Sequence, residues 1–299
     1  MKTEIFLKGI GRTATILSTV WMIILLSGCS DGRSFSDEGD SWAEVLENGH
    51  GTLKALYVPA EGFAYRDEEG RLTGVTVELI RGLADFVHEQ HGARLEVQFE
   101  KEEDWGLFYR RMVRGGDGLI GFGNVTITEE RKNELIFSPP YMSNIASLIS
   151  YQDVPDLQGF DEMASTFEGM KALAFEGTLH EQRLRQLVMT YHPDAEIHFA
   201  ASNDEILERV GAGRQYFAYI DLYNYHRASN RGVAIKRHNV ADESEEQFGY
   251  LMPLGTSWDE VVERYFTHDG GLTKSQRYRD IMEAHLGKDL ARMLTDAGH

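Results

Sequence analysis

The chain reads as an α/β protein of two lobes, each a mostly parallel sheet flanked by helices, joined by two hinge crossings. Three observations lead there. Apolar runs between Gly51 and Phe122 follow the order β-α-β-α-β, and the same order returns between Lys171 and Asp221. A further apolar run, Gly249–Leu254, follows the second unit and supplies a strand back in the first lobe. Alternating strands and helices imply parallel strands with crossover helices. Two crossings make a hinged clamp with its cleft between the lobes.

The chain opens with a basic segment, Lys2, Lys8 and Arg12, then an apolar run from Ala14 to Leu26 that is short for a bilayer span. It ends in Leu26-Ser27-Gly28-Cys29, the pattern of a bacterial lipobox. Residues 1–28 are therefore expected to be a lipoprotein signal peptide, with Cys29 as the lipidated new N-terminus. The rival reading is a chance cysteine in an ordinary signal peptide. Cys29 is the only cysteine in 299 residues, so no internal disulfide can form. Acyl chains on Cys29 would hold the protein on the membrane surface. Ser30 in place of Asp leans, by analogy with enteric sorting, toward the outer membrane. Residues 29–48, rich in Ser, Asp and Gly, read as a flexible tether.

The first lobe is expected over 49–148 and 246–299. Gly51–Tyr57 reads as a strand and Tyr57–Tyr65 as an aromatic-bearing loop, followed by a turn at Asp67–Gly70. Val75–Gln90 places Val77, Leu79, Ile80, Leu83, Phe86 and Val87 at helical spacing. Leu95–Phe99 alternates as a strand, and Asp104–Arg114 is a helix with Trp105, Phe108 and Met112 on one face. A Gly-rich turn precedes the strand Leu119–Phe122. Next come a polar loop to Thr128, a charged helix start at Glu129–Lys132, and a stop at Pro139-Pro140-Tyr141.

Ser147–Tyr151 reads as a strand leaving this unit, with the first hinge in the Pro- and Asp-bearing stretch to Asp156. The second lobe is expected over 149–245. Its strands are Lys171–Phe175, Ile197–Ala200 and Tyr216–Asp221, with helices from Thr178 to about Tyr191, over Asn203–Ala212 and from Leu222. The chain crosses back around Glu243–Phe248, and Trp258–Leu286 is largely helical.

Composition excludes several partners. The formal charge is −18, and removal of Lys2, Lys8, Arg12 and Glu4 with the signal peptide takes it to −20. A surface that acidic does not suit nucleic acid or anionic lipid headgroups. There is no H-E-x-x-H, no G-x-S-x-G and no P-loop. His88 and His91 have no companion acid or Cys cluster, and Gly118/Gly121/Gly123 is not a dinucleotide fingerprint. The chain is expected to be a monomer, not an enzyme, with no cofactor and no metal.

The stretch Gly115–Tyr141 gathers the binding chemistry. A strand ending in a loop and a helix start presents free backbone N–H groups, a natural anion site. Arg131, one turn further, adds a planar fork that matches a carboxylate. Thr126-Ile127-Thr128-Glu129-Glu130-Arg131 and Phe137-Ser138-Pro139-Pro140-Tyr141 resemble the T-x-x-R and F-S-x-P-Y signature of the family 3 extracellular solute-binding proteins. These are polar amino-acid receptors of the periplasm, and the resemblance extends from about Gly51 to Gly287.

It implies the type II periplasmic binding protein fold and a small amino-acid-like zwitterion as ligand. It implies Arg131 as the clamp on the ligand's α-carboxylate, helped by Thr126 and, from the other lobe, by Thr178 in Glu176-Gly177-Thr178. It implies Asp221 as acceptor from the ligand ammonium, and Asn124 as a second amine contact. Tyr57, Phe63 and Tyr65 are candidates for an aromatic wall over the ligand side chain. Rival readings stand beside these. Arg131 can be a solvated surface Arg, Asn124 a turn residue, Thr178 and Asp221 plain N-caps, and the aromatics core packing. The acid that the family places near Tyr57 and the aromatic close to Ala60 are missing, so a ligand other than a standard polar amino acid stays open.

The implied partners are the ligand, an inner-membrane permease if the protein serves import, and the membrane holding the anchor. The implied location is the periplasm. The layout from Phe137 to Leu286 also resembles the non-catalytic domain of membrane-bound lytic transglycosylase F, which would bind a cell-wall fragment or regulate. A dehydratase on the same fold is a third alternative, with Glu176 as its candidate acid.

Overall fold

The structure, a computed structural model, describes residues 36–296, apart from the side chains at 244, 245 and 296. The expected signal peptide, Cys29 and the expected tether as far as residue 35 lie outside these residues. Where a tether was expected, residues 37–48 are docked instead. Helix α1 (Trp42–Asn48) starts at a capping box in which Ser41 and Glu44 satisfy each other's backbone N–H groups. Val45 is fully buried in the first lobe, and Trp42 meets Trp258 edge-on at 5.2 Å. Asp37 pairs with Arg111 at 2.6 Å. Gly39 lies so close to its neighbours that a Cβ would stand 2.6 Å from the carbonyl oxygens of Gly118 and Thr52. The polar composition of 29–48 hid a short capped helix with an apolar face.

In chain order the first lobe contains β1 (His50–Tyr57), a hairpin of β2 (Tyr65–Arg66) and β3 (Leu72–Thr73), α2 (Val75–His91), β4 (Arg94–Lys101), α3 (Trp105–Arg114), β5 (Leu119–Thr126) and β6 (Leu135–Phe137). Then β7 (Met142–Tyr151) leads to α4 (Met163–Thr166), β8 (Lys171–Phe175), α5 (Leu179–Tyr191), β9 (Ile197–Ala200), α6 (Asn203–Gly211), β10 (Tyr216–Asp221) and α7 (Leu222–Asn230). The long β11 (Ile235–Pro253) returns, and α8 (Asp259–Thr267), α9 (Gln276–Leu286) and α10 (Lys288–Asp296) finish the first lobe. The helical stretch from Trp258 is thus broken by two 3-10 turns between α8 and α9 and extended by α10, which buries Leu290, Ala291 and Leu294.

One mixed sheet runs through both lobes in the order β4-β1-β5-β11-β7-β10-β8-β9, with β6 added on β11. The outer pairs β1–β4, β1–β5, β8–β10 and β8–β9 are parallel, as the β-α-β order requires. The central partners β7 and β11 are antiparallel to each other. They are also the two crossings. Met142 and Phe248 pack in the first core, whereas Ala146, Leu148 and Ala241 pack in the second. The change of core thus falls near 143–145, ahead of the Pro- and Asp-bearing stretch to Asp156 where a loop hinge was expected. No loop is needed there, because Ser143 and Asn144 find ladder partners in Gln247 and Glu246. The register slips between His238 and Glu246, an irregularity that lets one strand bend from lobe to lobe.

No helix among the described residues is long and apolar enough to cross a membrane.

Candidate functional site

The crossing strands carry a buried polar cluster to the junction of the lobes. From the first lobe comes the end of β5. Asn124 takes a left-handed conformation (φ +56°), which Asn tolerates better than most residues. Its Oδ1 accepts from the Tyr141 hydroxyl at 3.0 Å, and its Nδ2 is buried with no partner. Thr126 is buried and directs its hydroxyl to Glu246 Oε2 at 3.5 Å.

Arg131 opens a 3-10 turn, Arg131–Asn133, where a charged helix start was expected. Its side chain folds back so that Nη1 donates to the Thr126 carbonyl at 2.9 Å. The guanidinium carbon lies 5.7 Å from the Trp105 ring and 5.8 Å from the Tyr109 ring. Burial holds its pKa below the usual range for an arginine. Among the described residues its guanidinium makes no ion pair and no further hydrogen bond. It is a cation steadied by two aromatic faces and one carbonyl, with donors to spare for an anion.

From the second lobe comes Asp221, buried at the end of β10. It occupies the N-cap position of α7, yet its carboxylate makes no capping hydrogen bond. Oδ1 instead accepts from His180 Nε2 at 2.9 Å and from the Asn144 side-chain amide. The same Asn144 nitrogen donates to Glu246 Oε2 at 2.9 Å. Asn144 and Glu246 face each other across β7 and β11. Glu246, almost fully buried, is ion-paired with Arg183 of α5. Around this group Asn144 Oδ1, Asn224 Nδ2 and His180 Nδ1 join Asn124 Nδ2 as buried polar atoms without partners. Buried polar atoms are nearly always satisfied, so such a concentration makes the junction the candidate site.

The other expected contacts sit elsewhere. The Thr178 hydroxyl is used within its own turn, donating to the Phe175 carbonyl at 2.7 Å and accepting from Glu181 N–H as the N-cap of α5. Tyr57 is buried in the first core, stacked on Phe122. Its position in β1 directs it inward, away from the junction. Tyr65 turns to His285 of α9, with its hydroxyl 3.1 Å from Nδ1. Phe63 is also core, but it meets Tyr223 of the second lobe edge-on at 4.8 Å, and so packs beside the junction. The aromatic faces next to Arg131 belong to Trp105 and Tyr109. Glu176, the acid named for a dehydratase, is exposed.

The ligating atoms of His180, Asp221 and Glu246 lie within 4.8 Å of one another, a spacing that could hold a metal ion. The donor set argues for another use. The Asn144 amide bridges the two carboxylates, and Arg183 already engages Glu246. N–H donors occupy the approach a metal would need, so the acids are arranged to accept from nitrogen.

The lobes touch at points outside this cluster. Trp105 Nε1 donates to the Gly177 carbonyl at 3.0 Å. Arg227 of α7 donates to the Glu61 carbonyl at 2.7 Å, and both Arg227 and Arg231 pair with the Glu61 carboxylate. Glu61→Ala removes the two ion pairs of this clasp and leaves the carbonyl bond. Exposed ion pairs are worth about 0.2–1 kcal/mol each. The variant is expected to speed ligand dissociation about two- to tenfold with little change in association, as stopped-flow fluorescence would register.

A two-lobed α/β fold with two paired strands crossing between its lobes defines the class of type II periplasmic binding proteins. The sequence profile of the bacterial extracellular solute-binding proteins, family 3, matches residues 55–285, most of the chain, and the chain belongs to this family. It is thus a solute-binding protein and not an enzyme. The probable amino-acid-binding protein YxeM of Bacillus subtilis (strain 168) is 25% identical over 206 residues, 67% of each chain. The L-cystine-binding protein TcyJ of Escherichia coli (strain K12) is 31% identical over 187 residues, 61% of this chain and 62% of that one. The chain therefore spans about two thirds of the length of these relatives. Among solved structures, an ancestral arginine-binding protein bound to arginine aligns with a TM-score of 0.64 at 20% identity, covering 79% of this chain and 98% of that one, which establishes likeness of fold.

Proposed function

We propose that this protein is a lipid-anchored periplasmic receptor that closes on an amino-acid zwitterion and serves a transport system. Arg131 on the first lobe takes the carboxylate and Asp221 on the second takes the ammonium, with Thr126 and Asn124 adding contacts from β5. A ligand carrying both charges favours the closed arrangement over the open one, because only closure brings both partners to it. One observation carries this reading: a part-buried guanidinium without an acid partner, on the Thr126 carbonyl of the first lobe, and a buried carboxylate of the second lobe stand at the two sides of the junction. The acyl anchor on Cys29 rests on the Leu26–Cys29 motif, with the outer membrane favoured by Ser30. Delivery to an inner-membrane permease rests on kinship with amino-acid-binding proteins.

Thermal-shift measurements on the full chain in detergent test the reading, with amino acids, small dicarboxylates and muropeptides as ligands. At 100 times its dissociation constant a ligand adds about 2.7 kcal/mol. For a protein of this size that raises Tm by about 5–10 °C. Stabilisation by amino acids is the expected result. A response to muropeptides alone would favour a cell-wall role instead. Loss of radiolabelled palmitate incorporation in Cys29→Ala would support the anchor, and unchanged labelling would refute it.

A further inference from the structure

The junction holds one charge pair more than a zwitterion needs. Arg131 and Asp221 supply one positive and one negative partner. Glu246 adds a second buried carboxylate, and Arg183, reaching in from the second turn of α5, adds a second guanidinium that pairs with it. The Asn144 amide lies between Asp221 and Glu246, so the two acids border the same space. The formal charges of Arg131, Arg183, Asp221 and Glu246 balance two against two.

We infer that Arg183 is a built-in cation and that it selects the ligand by charge. Its guanidinium sits on Glu246, the place that the positive side chain of a basic amino acid would otherwise take. A ligand with a second positive charge must displace it or leave one cation buried and unpaired, a costly choice in either form. A ligand with a second negative charge finds no free guanidinium beyond Arg131. The site therefore takes α-amino acids of zero net charge. This rests on the zwitterion reading above and names the substrate class within it. Specificity here comes from occupying the wrong ligand's position as well as from contacts to the right one.

The inference predicts opposite shifts from the two halves of the pair. Arg183→Gln leaves Glu246 without its cation, so affinity for L-lysine or L-arginine should rise at least about tenfold relative to L-glutamine, about 1.4 kcal/mol. Glu246→Gln leaves Arg183 without its anion, so L-glutamate should gain by a similar factor. Calorimetric titration of the full-length wild type and both variants, at about pH 8 where an ordinary imidazole is neutral, gives the comparison. Near-ultraviolet circular dichroism confirms that each variant is folded, and either variant alone suffices to test the sign. Wild type that binds L-lysine or L-arginine as tightly as L-glutamine overturns the inference. So does a folded variant whose preference is unchanged, while in both cases the zwitterion reading survives. Wild type that binds no amino acid overturns both.

Discussion

Arg131→Ala should weaken amino-acid binding by about 30-fold to several thousand-fold. Truncating one partner of a buried, hydrogen-bonded charge pair costs about 2–5 kcal/mol, and each 1.4 kcal/mol is a factor of ten. The reasoning starts from what Arg131 lacks. Its neighbours are the Trp105 and Tyr109 rings and the Thr126 carbonyl, and none of these neutralises it. A carboxylate entering here replaces water on a cation already ordered in a low-dielectric place, where the interaction is strong. The same change should hardly affect the protein without ligand. Loss of two cation–π contacts, about 0.5–2 kcal/mol each, is offset by relief of the cost of holding an unpaired charge away from water. The unfolding free energy without ligand should stay within about 1 kcal/mol of wild type. Calorimetry paired with urea unfolding separates the effects. A residue important only for folding would show the reverse pattern, with stability lost and the remaining folded fraction binding normally.

Trp258→Ala should destabilise the protein by about 3–5 kcal/mol, the range for removing a large buried aromatic. Trp258 is among the largest fully buried side chains of the described residues. It also ties the N-terminal segment down, since Nε1 donates to the Asp40 carbonyl at 3.0 Å and its ring meets Trp42. The expected fall in Tm is about 6–20 °C. Residues 36–48 should become the first site of proteolytic cutting, because α1 has only seven residues and cannot persist without its packing. A drop below about 1 kcal/mol would mean that α1 contributes little to the first core.

Much of this architecture was legible because the parallel strands read as plain apolar runs between capped helices. Ile197–Ala200 and Tyr216–Asp221 coincide with β9 and β10, and Thr178 is the N-cap that its rival reading named. The crossing strands were harder. The stretch Ala241–Gln247 is acidic enough to look like a solvated loop, yet Glu246, Phe248 and Tyr250 follow the two-residue period of one strand face, and all three are buried. That period was the available signal for Glu246. Asn144 lies two residues before Ala146 on the same face of β7, but the strand was expected to begin only at Ser147. Arg183 and His180 sit three apart on a helix of ordinary polar composition, and nothing local distinguishes them from surface residues. Their role comes from the opposite lobe, which a linear pattern does not display. Tyr57 and Tyr65 illustrate the converse. Aromatics near a loop suggested a wall, but the alternation of β1 sends Tyr57 inward, and His285, far along the chain, claims Tyr65.

The central claim is a cation on one lobe and an anion on the other, gripping the two ends of one ligand. The most direct test is a crystal structure of the protein with the amino acid that gives the largest thermal shift. The account predicts the ligand carboxylate on the Arg131 guanidinium and its ammonium on Asp221, each at about 2.7–3.2 Å. A ligand seated away from the junction, or one whose charged ends touch neither residue, would contradict it.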